Sequence, residues 1–359
     1  LDMSRLGRVM GTANIPGEHV DTLAFHGATS THVVVQAGGG QFFRVDILTQ
    51  DGAAALPSAD ILAALEEVQR LASSSINSSS SSKDSGDGSS YSASGGGIGV
   101  LTSMPRTDWF HARQHLLSLS PDNGESLAQI DSALLMVALD ENKTDDLTER
   151  CRAGLHGIDA STRSDRWWDK MQLLVDGHGR LGMHFEHSPS DGICWNRWLG
   201  EVWHAMGEME TPAKWVYGHV PEATGSSASL ACVTRIGFDF DDAVRADIAR
   251  ADKLLKEDLA DSVDTLATTF EGFGKTEIKA LGYSPDAFVQ MSYQLAYARM
   301  HGGLSAATYE ACSTAGAFHG RTETIRSCSS ESLAMVNACL DDRATQAEVS
   351  YEAPRLSCC

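Results

Sequence analysis

The densest chemistry in the chain is Met183-His-Phe-Glu-His187-Ser-Pro-Ser-Asp191-Gly192, where two histidines and two carboxylates fall within ten residues. An imidazole, with a reference pKa of about 6.5, can take a proton and return it near neutrality, which is general acid–base work. On an extended strand Met183, Phe185 and His187 share one face. The reading therefore puts His187 at the tip of an apolar strand, with Asp191 fixing the loop that follows. His184 and His187 would point to opposite faces, which argues against a metal pair. A satisfied structural histidine is the plainer alternative on these residues alone.

A second constellation is Phe273-Gly-Lys275-Thr-Glu-Ile-Lys279, followed by Ser284-Pro285-Asp286. Gly274-Lys275-Thr276 is not a P-loop, since that motif needs glycine where Thr269 stands. Two lysines in a loop that feeds a helix capped by Ser284 and opened by Pro285 could hold phosphate. A solvated lysine pair is the plainer alternative here too.

Several elements must position these groups. Arg166-Trp-Trp-Asp-Lys170, an apolar run, the turn Asp176-Gly-His-Gly179 and the His187 stretch read as strand, hairpin, strand, loop and helix. Thr31–Gln36 and Gln41–Leu48 are strands joined by glycines, and Ala133–Leu139 is a buried strand ending at Asp140. Helical spacing predicts helices over Ala53–Ala72, Trp109–Leu119, from Ser126 and over Ile193–Gly207, whose tryptophans read as core. Ser73–Gly97 is serine and glycine and reads as a disordered insertion. The connector Thr211–Ser229 suggests a boundary between domains at 1–228 and 229–359. Beyond it come a strand over Ser229–Phe240, a long helix over Phe240–Phe270, and helices over Ser284–Met300, from about Ser305 and over Ser329–Leu340. The fold class is α/β, a mixed β-sheet flanked by helices, with an incomplete second domain that is mainly helical.

The 359 residues suffice for one large core or two smaller ones. A net charge of −20 argues against nucleic acid or an anionic membrane surface as the main partner. The eight cysteines lack metal-ligand spacing and read as reduced thiols, so no metal site is expected. No apolar run reaches the length of a membrane span.

His187-x-x-x-Asp191-Gly192 is the motif of CoA-dependent acyltransferases. With Arg166-Trp-x-Asp-Lys170 before it and Glu186-His-Ser188 within it, the region resembles the choline/carnitine acyltransferase family. It is most similar to the palmitoyl-transferring members of the mitochondrial inner-membrane type. Further segments resemble the same family: Asn14-Ile-Pro16 with Asp21, Leu101-Thr102 with Arg106 and Trp109, and Tyr309-Glu through Gly320-Arg-Thr322-Glu-Thr-Ile-Arg326. Only Ser73–Gly97 falls outside the likeness. The resemblance implies acyl transfer between CoA and carnitine, with CoA or acyl-CoA as substrate and no cofactor. It implies His187 as base, supported by Asp191. It implies Lys275 and Lys279 on the CoA phosphates, Ser284, Pro285 and Asp286 on the nucleotide side, and Tyr309 and Thr322 on the carnitine carboxylate. Ala311, and Phe318 one place late, depart from the family pattern in that last pocket. The Asn14-Ile-Pro16 segment with Asp21 lies near substrate in relatives, but no role is assigned to it.

The resemblance also implies a place on the matrix side of the mitochondrial inner membrane and leaves a peripheral membrane association open. Relatives extend beyond both ends, with further oxyanion and carboxylate contacts. Losing an oxyanion donor costs about 10²–10³ in rate, so weak activity is expected. The alternative from another class is a non-catalytic acyl-CoA-binding or regulatory module.

Overall fold

The computed structural model describes residues 6–79, 97–207, 233–314 and 316–341. The chain forms two compact units, Met3–Ala267 and Thr268–Cys359. The division falls well after the expected connector, all of which lies outside the described residues. The reason is β8, introduced below, which the sequence reading gave to the second domain. It hydrogen-bonds into the sheet of the first unit.

In chain order the first unit has a separate hairpin of β1 (Thr12–Ile15) and β2 (Thr22–Phe25), then β3 (His32–Ala37), β4 (Gln41–Asp46) and α1 (Ser58–Ser79). A 3-10 turn, Ile98–Ser103, leads to α2 (Arg106–Leu119), α3 (Pro121–Ser132), β5 (Met136–Leu139), α4 (Leu147–His156) and α5 (Ala160–Ser164). Then come β6 (Gln172–Val175), β7 (Leu181–His184), α6 (Gly192–Gly207), β8 (Val233–Ile236) and α7 (Asp242–Leu254).

Six strands form one mixed sheet in the order β7-β6-β5-β3-β4-β8, with β3, β5 and β6 mutually parallel and the other pairs antiparallel. Both faces are covered, so the central strand His32-Val-Val-Val-Gln-Ala37 is buried along its whole length. Alternation sends Val34 and Phe42 to one face, with Trp109, Leu116, Trp167 and Ile248. Val33, Val35, Phe43 and Val45 go to the other, against Val68 of α1 and Trp195 of α6.

Several expected bounds shift. The helix expected from Ala53 starts at Ser58, because Thr49 N–H donates to Ala54 O in a turn and Pro57 follows. It continues to Ser79, so the first residues of the stretch expected to be disordered are helical. Residues 80–96 lie outside the described residues. In α6, Trp195 is core as expected, but Trp203 is 73% exposed. The helix expected over Phe240–Phe270 stops at Leu254, with a π-helical turn Leu255–Ala260 after it. Leu266 and Phe270, which carried the apolar period, are exposed, and periodicity without a surface to bury does not propagate a helix.

The second unit has α8 (Lys275–Ala280), α9 (Pro285–Met300), β9 (Glu310–Ser313), β10 (Thr322–Ile325) and α10 (Ser330–Leu340). Its core joins Met291 and Ala298 of α9 to Met335 and Val336 of α10. The helix expected from about Ser305 is instead a hairpin, β9 pairing β10 antiparallel from Glu310↔Ile325 to Ser313↔Thr322. Thr322, Thr324 and Ile325 are β-branched, and Thr314 O closes the turn from Ala317 N–H at 2.8 Å.

Gly99 lies where a Cβ would stand 2.3 Å from Arg166 O and 2.7 Å from Ser164 O. Both are backbone atoms that cannot move aside. Gly99→Ala is expected to cost about 1–3 kcal/mol, read as a lower urea midpoint with unchanged slope.

Candidate active site

Arg166-Trp-Trp-Asp-Lys170 is a buried knot of hydrogen bonds. Arg166 is fully buried and forks onto Asp140 at 3.0 and 2.7 Å, with a further bond to Ala153 O at 2.7 Å. Asp169 accepts from Trp109 Nε1 at 2.7 Å and from Arg106 at 2.6 Å, and Arg106 also reaches Asp21. Lys170 Nζ donates to Thr12 O and Asp131 O, both at 2.9 Å. The segments that resembled the family before the site, Asn14 to Asp21 and Arg106 to Trp109, therefore meet on this run.

Burial shifts the charged members. It pushes Asp165 up to about 7, although the carboxylate accepts Gly40 N–H at 2.6 Å and Gly39 N–H at 3.3 Å. It pushes Asp169 up to about 6, against the pull of Arg106, and Lys170 down to about 7. A carboxyl raised in the folded state stabilises the fold fully below its unfolded value, 3.8, and loses that contribution as pH rises to the folded value. For Lys170 the unfolded chain binds the proton more tightly, so its contribution grows as pH rises from about 7 towards 10.5. The urea midpoint is expected to fall between pH 4 and 7, and Asp165→Asn should flatten that slope. An unchanged slope in the variant would assign the pH dependence to other groups.

The β6–β7 ladder ends at Gln172↔His184. No residue of β6 lies opposite Phe185 to His187, so the strand stops three residues short of the expected tip. His187 stands instead on a bend, its side chain 64% exposed, with Nδ1 3.7 Å from Oδ1 of the largely buried Asp191. Asp191 precedes α6, and its carbonyl accepts Cys194 N–H at 3.1 Å. Phe185 stacks on Trp195 at 5.4 Å, and the His187 ring leans on Phe185 at 5.9 Å. Two contacts here escaped sequence reading. Glu186 accepts from Ser188 N–H at 2.9 Å and from Ser188 Oγ–H at 2.6 Å, and Asn14 Nδ2–H reaches Glu186 Oε1 at 3.4 Å. The family-like Asn14-Ile-Pro16 segment was the signal that could have pointed to Asn14. His184 sits against Trp168, and burial pushes its pKa down to about 4. Among the described residues no cluster of three metal-ligating side chains occurs.

In the second unit Lys275 and Lys279 are both exposed and lie one turn apart on α8, where a loop was expected. Lys275 is in the first turn, against the helix dipole, so helix stability does not account for it. Ser284 caps α9 as expected, its Oγ accepting Ala287 N–H at 3.4 Å, and Pro285 opens the helix. Asp286 lies beside Glu310, and burial together with that neighbouring carboxylate pushes Glu310 up. The start of α9 and the start of β9 are thus adjacent. Tyr309 immediately precedes β9 and is 64% exposed. Thr322 opens β10, its hydroxyl donating to Cys312 O at 3.1 Å. The register sets Tyr309 and Thr322 at opposite ends of the hairpin. His187 and Asp191 come together, whereas the two lysines belong to the other compact unit.

Comparison with known proteins agrees with the motifs. The choline/carnitine O-acyltransferase family model matches residues 1–355. Carnitine O-palmitoyltransferase 2, mitochondrial, of Rattus norvegicus is 34% identical over 330 residues, 91% of this chain and 44% of that protein. The muscle isoform of carnitine O-palmitoyltransferase 1 of Homo sapiens is 33% identical over 353 residues, 96% of this chain and 42% of that protein. Choline O-acetyltransferase of Rattus norvegicus is 30% identical over 352 residues, 96% of this chain and 50% of that protein. The chain thus spans about half the length of these relatives or less. With its motifs, its mixed sheet flanked by helices and a match along nearly its whole length, the chain belongs to the choline/carnitine O-acyltransferase family.

Proposed function

We propose that the chain carries the base and the CoA-contacting segments of an enzyme that moves a long-chain acyl group between CoA and the hydroxyl of carnitine. The family match over residues 1–355, which takes in the imidazole–carboxylate pair on the exposed bend, carries this reading. A hydroxyl is a poor nucleophile until a base takes its proton. His187 takes it as the oxygen bonds to the thioester carbon. The C–S bond then breaks, and the imidazolium returns the proton to the departing thiolate. In reverse His187 takes the thiol proton. Asp191 holds the bend that carries the ring. Lys275 and Lys279 would bind the CoA phosphates, with Ser284, Pro285 and Asp286 towards the nucleotide. Tyr309 and Thr322 would donate hydroxyl hydrogen bonds to the carnitine carboxylate.

The palmitoyltransferase relatives support carnitine and a long chain, and the name of the first supports a mitochondrial location. Among the described residues no helix is long and apolar enough to cross a membrane. A second reading, favoured by the exposed lysine pair on α8 in a compact unit other than that of His187, is an acyl-CoA-binding module without turnover. Thiol release from palmitoyl-CoA with carnitine, run beside acetyl-CoA with choline, tests both. Release with the first pair supports the proposal. Release with the second pair alone replaces the acceptor, and CoA binding without release favours the module.

A further inference from the structure

The β6–β7 ladder ends at Gln172↔His184, three residues before His187. Past that end the carboxylate of Glu186 bonds across the bend. Oε2 accepts Ser188 N–H and Oε1 accepts Ser188 Oγ–H, which closes the bend around His187. Oε1 also accepts from Asn14 of β1, across 172 residues of sequence. Asn14 N–H in turn donates to Asp169 O at 2.9 Å, inside the buried knot. We propose that Glu186 is a positioning residue. It clamps the bend to β1, and through β1 to the knot, and so sets the direction in which the His187 ring faces. This rests on the reading of His187 as the base.

The alternation of side chains supports the assignment. Phe185 is anchored inward on Trp195, and Glu186 turns towards β1. A proline at 189 disfavours the helical region for Ser188. Between these restraints the Glu186–Ser188 pair bonds across the bend. A comparable side-chain-capped turn at Asp51 bonds within its own loop, to Thr49 and Ala53. Glu186 also reaches a distant strand, as a turn former alone would not require.

Four variants test it: Glu186→Ala, Glu186→Gln, Asn14→Asp and the double variant Asn14→Asp/Glu186→Gln. A misplaced base costs up to about 10²-fold, so Glu186→Ala should lower kcat by roughly 10–100-fold with KM for acyl-CoA changed less than about twofold. Glu186→Gln keeps an oxygen for Ser188 and can donate to Asn14 Oδ1 once that amide turns over, so it should stay near wild type. Asn14→Asp sets two carboxylates against each other and should lose as much as Glu186→Ala. The double variant restores a donor–acceptor pair and should recover.

Amide exchange at Ser188 is read in parallel and needs no turnover. It should accelerate about tenfold or more in Glu186→Ala and Asn14→Asp, and return in the double variant. Wild-type kcat in Glu186→Ala, or no recovery in the double variant, would overturn the proposal. So would unchanged Ser188 protection. If the wild-type protein transfers no acyl group, the exchange data alone decide the positioning role, and the failure belongs to the activity reading.

Discussion

His187→Ala is expected to reduce acyl-transfer kcat by about 10²–10⁴-fold while CoA still binds. The size follows from the chemistry. Without a base within hydrogen-bond reach the attacking oxygen keeps its proton, and the energy of a free alkoxide is added to the barrier. CoA binding is expected to survive because the proposed phosphate contacts, Lys275 and Lys279, lie in the other compact unit. His187 itself is exposed on a bend, so its truncation leaves no cavity. Thiol release against substrate concentration, with CoA titration by calorimetry, separates the two effects. Turnover within tenfold of wild type would move the base elsewhere, and loss of CoA binding would make His187 a structural residue.

Arg166→Met is expected to destabilise the first unit by about 3–5 kcal/mol. That is a large share of a typical stability of about 5–15 kcal/mol. The guanidinium is fully buried and Asp140 nearly so, and the fork between them neutralises both. Methionine fills much of the volume but leaves the carboxylate buried without its counter-charge, and Ala153 O loses a donor. Arg166→Met/Asp140→Leu removes both charges and should recover most of the loss, because a buried ion pair and a packed apolar pair differ little. Urea unfolding followed by tryptophan emission reads both. If the single variant loses under 1 kcal/mol, the knot does not anchor the sheet. If the double variant loses more than the single, packing rather than charge is the cause.

Spacing along the chain carried the chemistry and part of the scaffold. The base candidate, its carboxylate, the Asp176-Gly turn, the glycine-linked strands β3 and β4 and the Ser284-Pro285 helix start were all legible. Each depends on residues within a few positions of one another, where backbone geometry alone decides who can meet. The features that were not legible depend on partners far away. β7 stops at His184 because β6 begins at Gln172, and no local feature of Phe185 to His187 records that register. β8 belongs to the first unit because it pairs with β4, nearly two hundred residues earlier in the chain. The period over Phe240–Phe270 promised one long helix, yet its later apolar positions found nothing to bury them.

The amino-acid sequence by itself determined the family and the candidate base, because motif residues and their intervals survive without knowledge of the fold. Tertiary structure decided where each element ends and which distant groups meet at the bend that carries His187. It tied Asn14 to Glu186 and made Arg166-Trp-Trp-Asp-Lys170 a buried knot rather than a strand. The physical reason is that a strand end, a unit boundary and a buried charge are each set by what packs across the gap, and local spacing carries no trace of that partner.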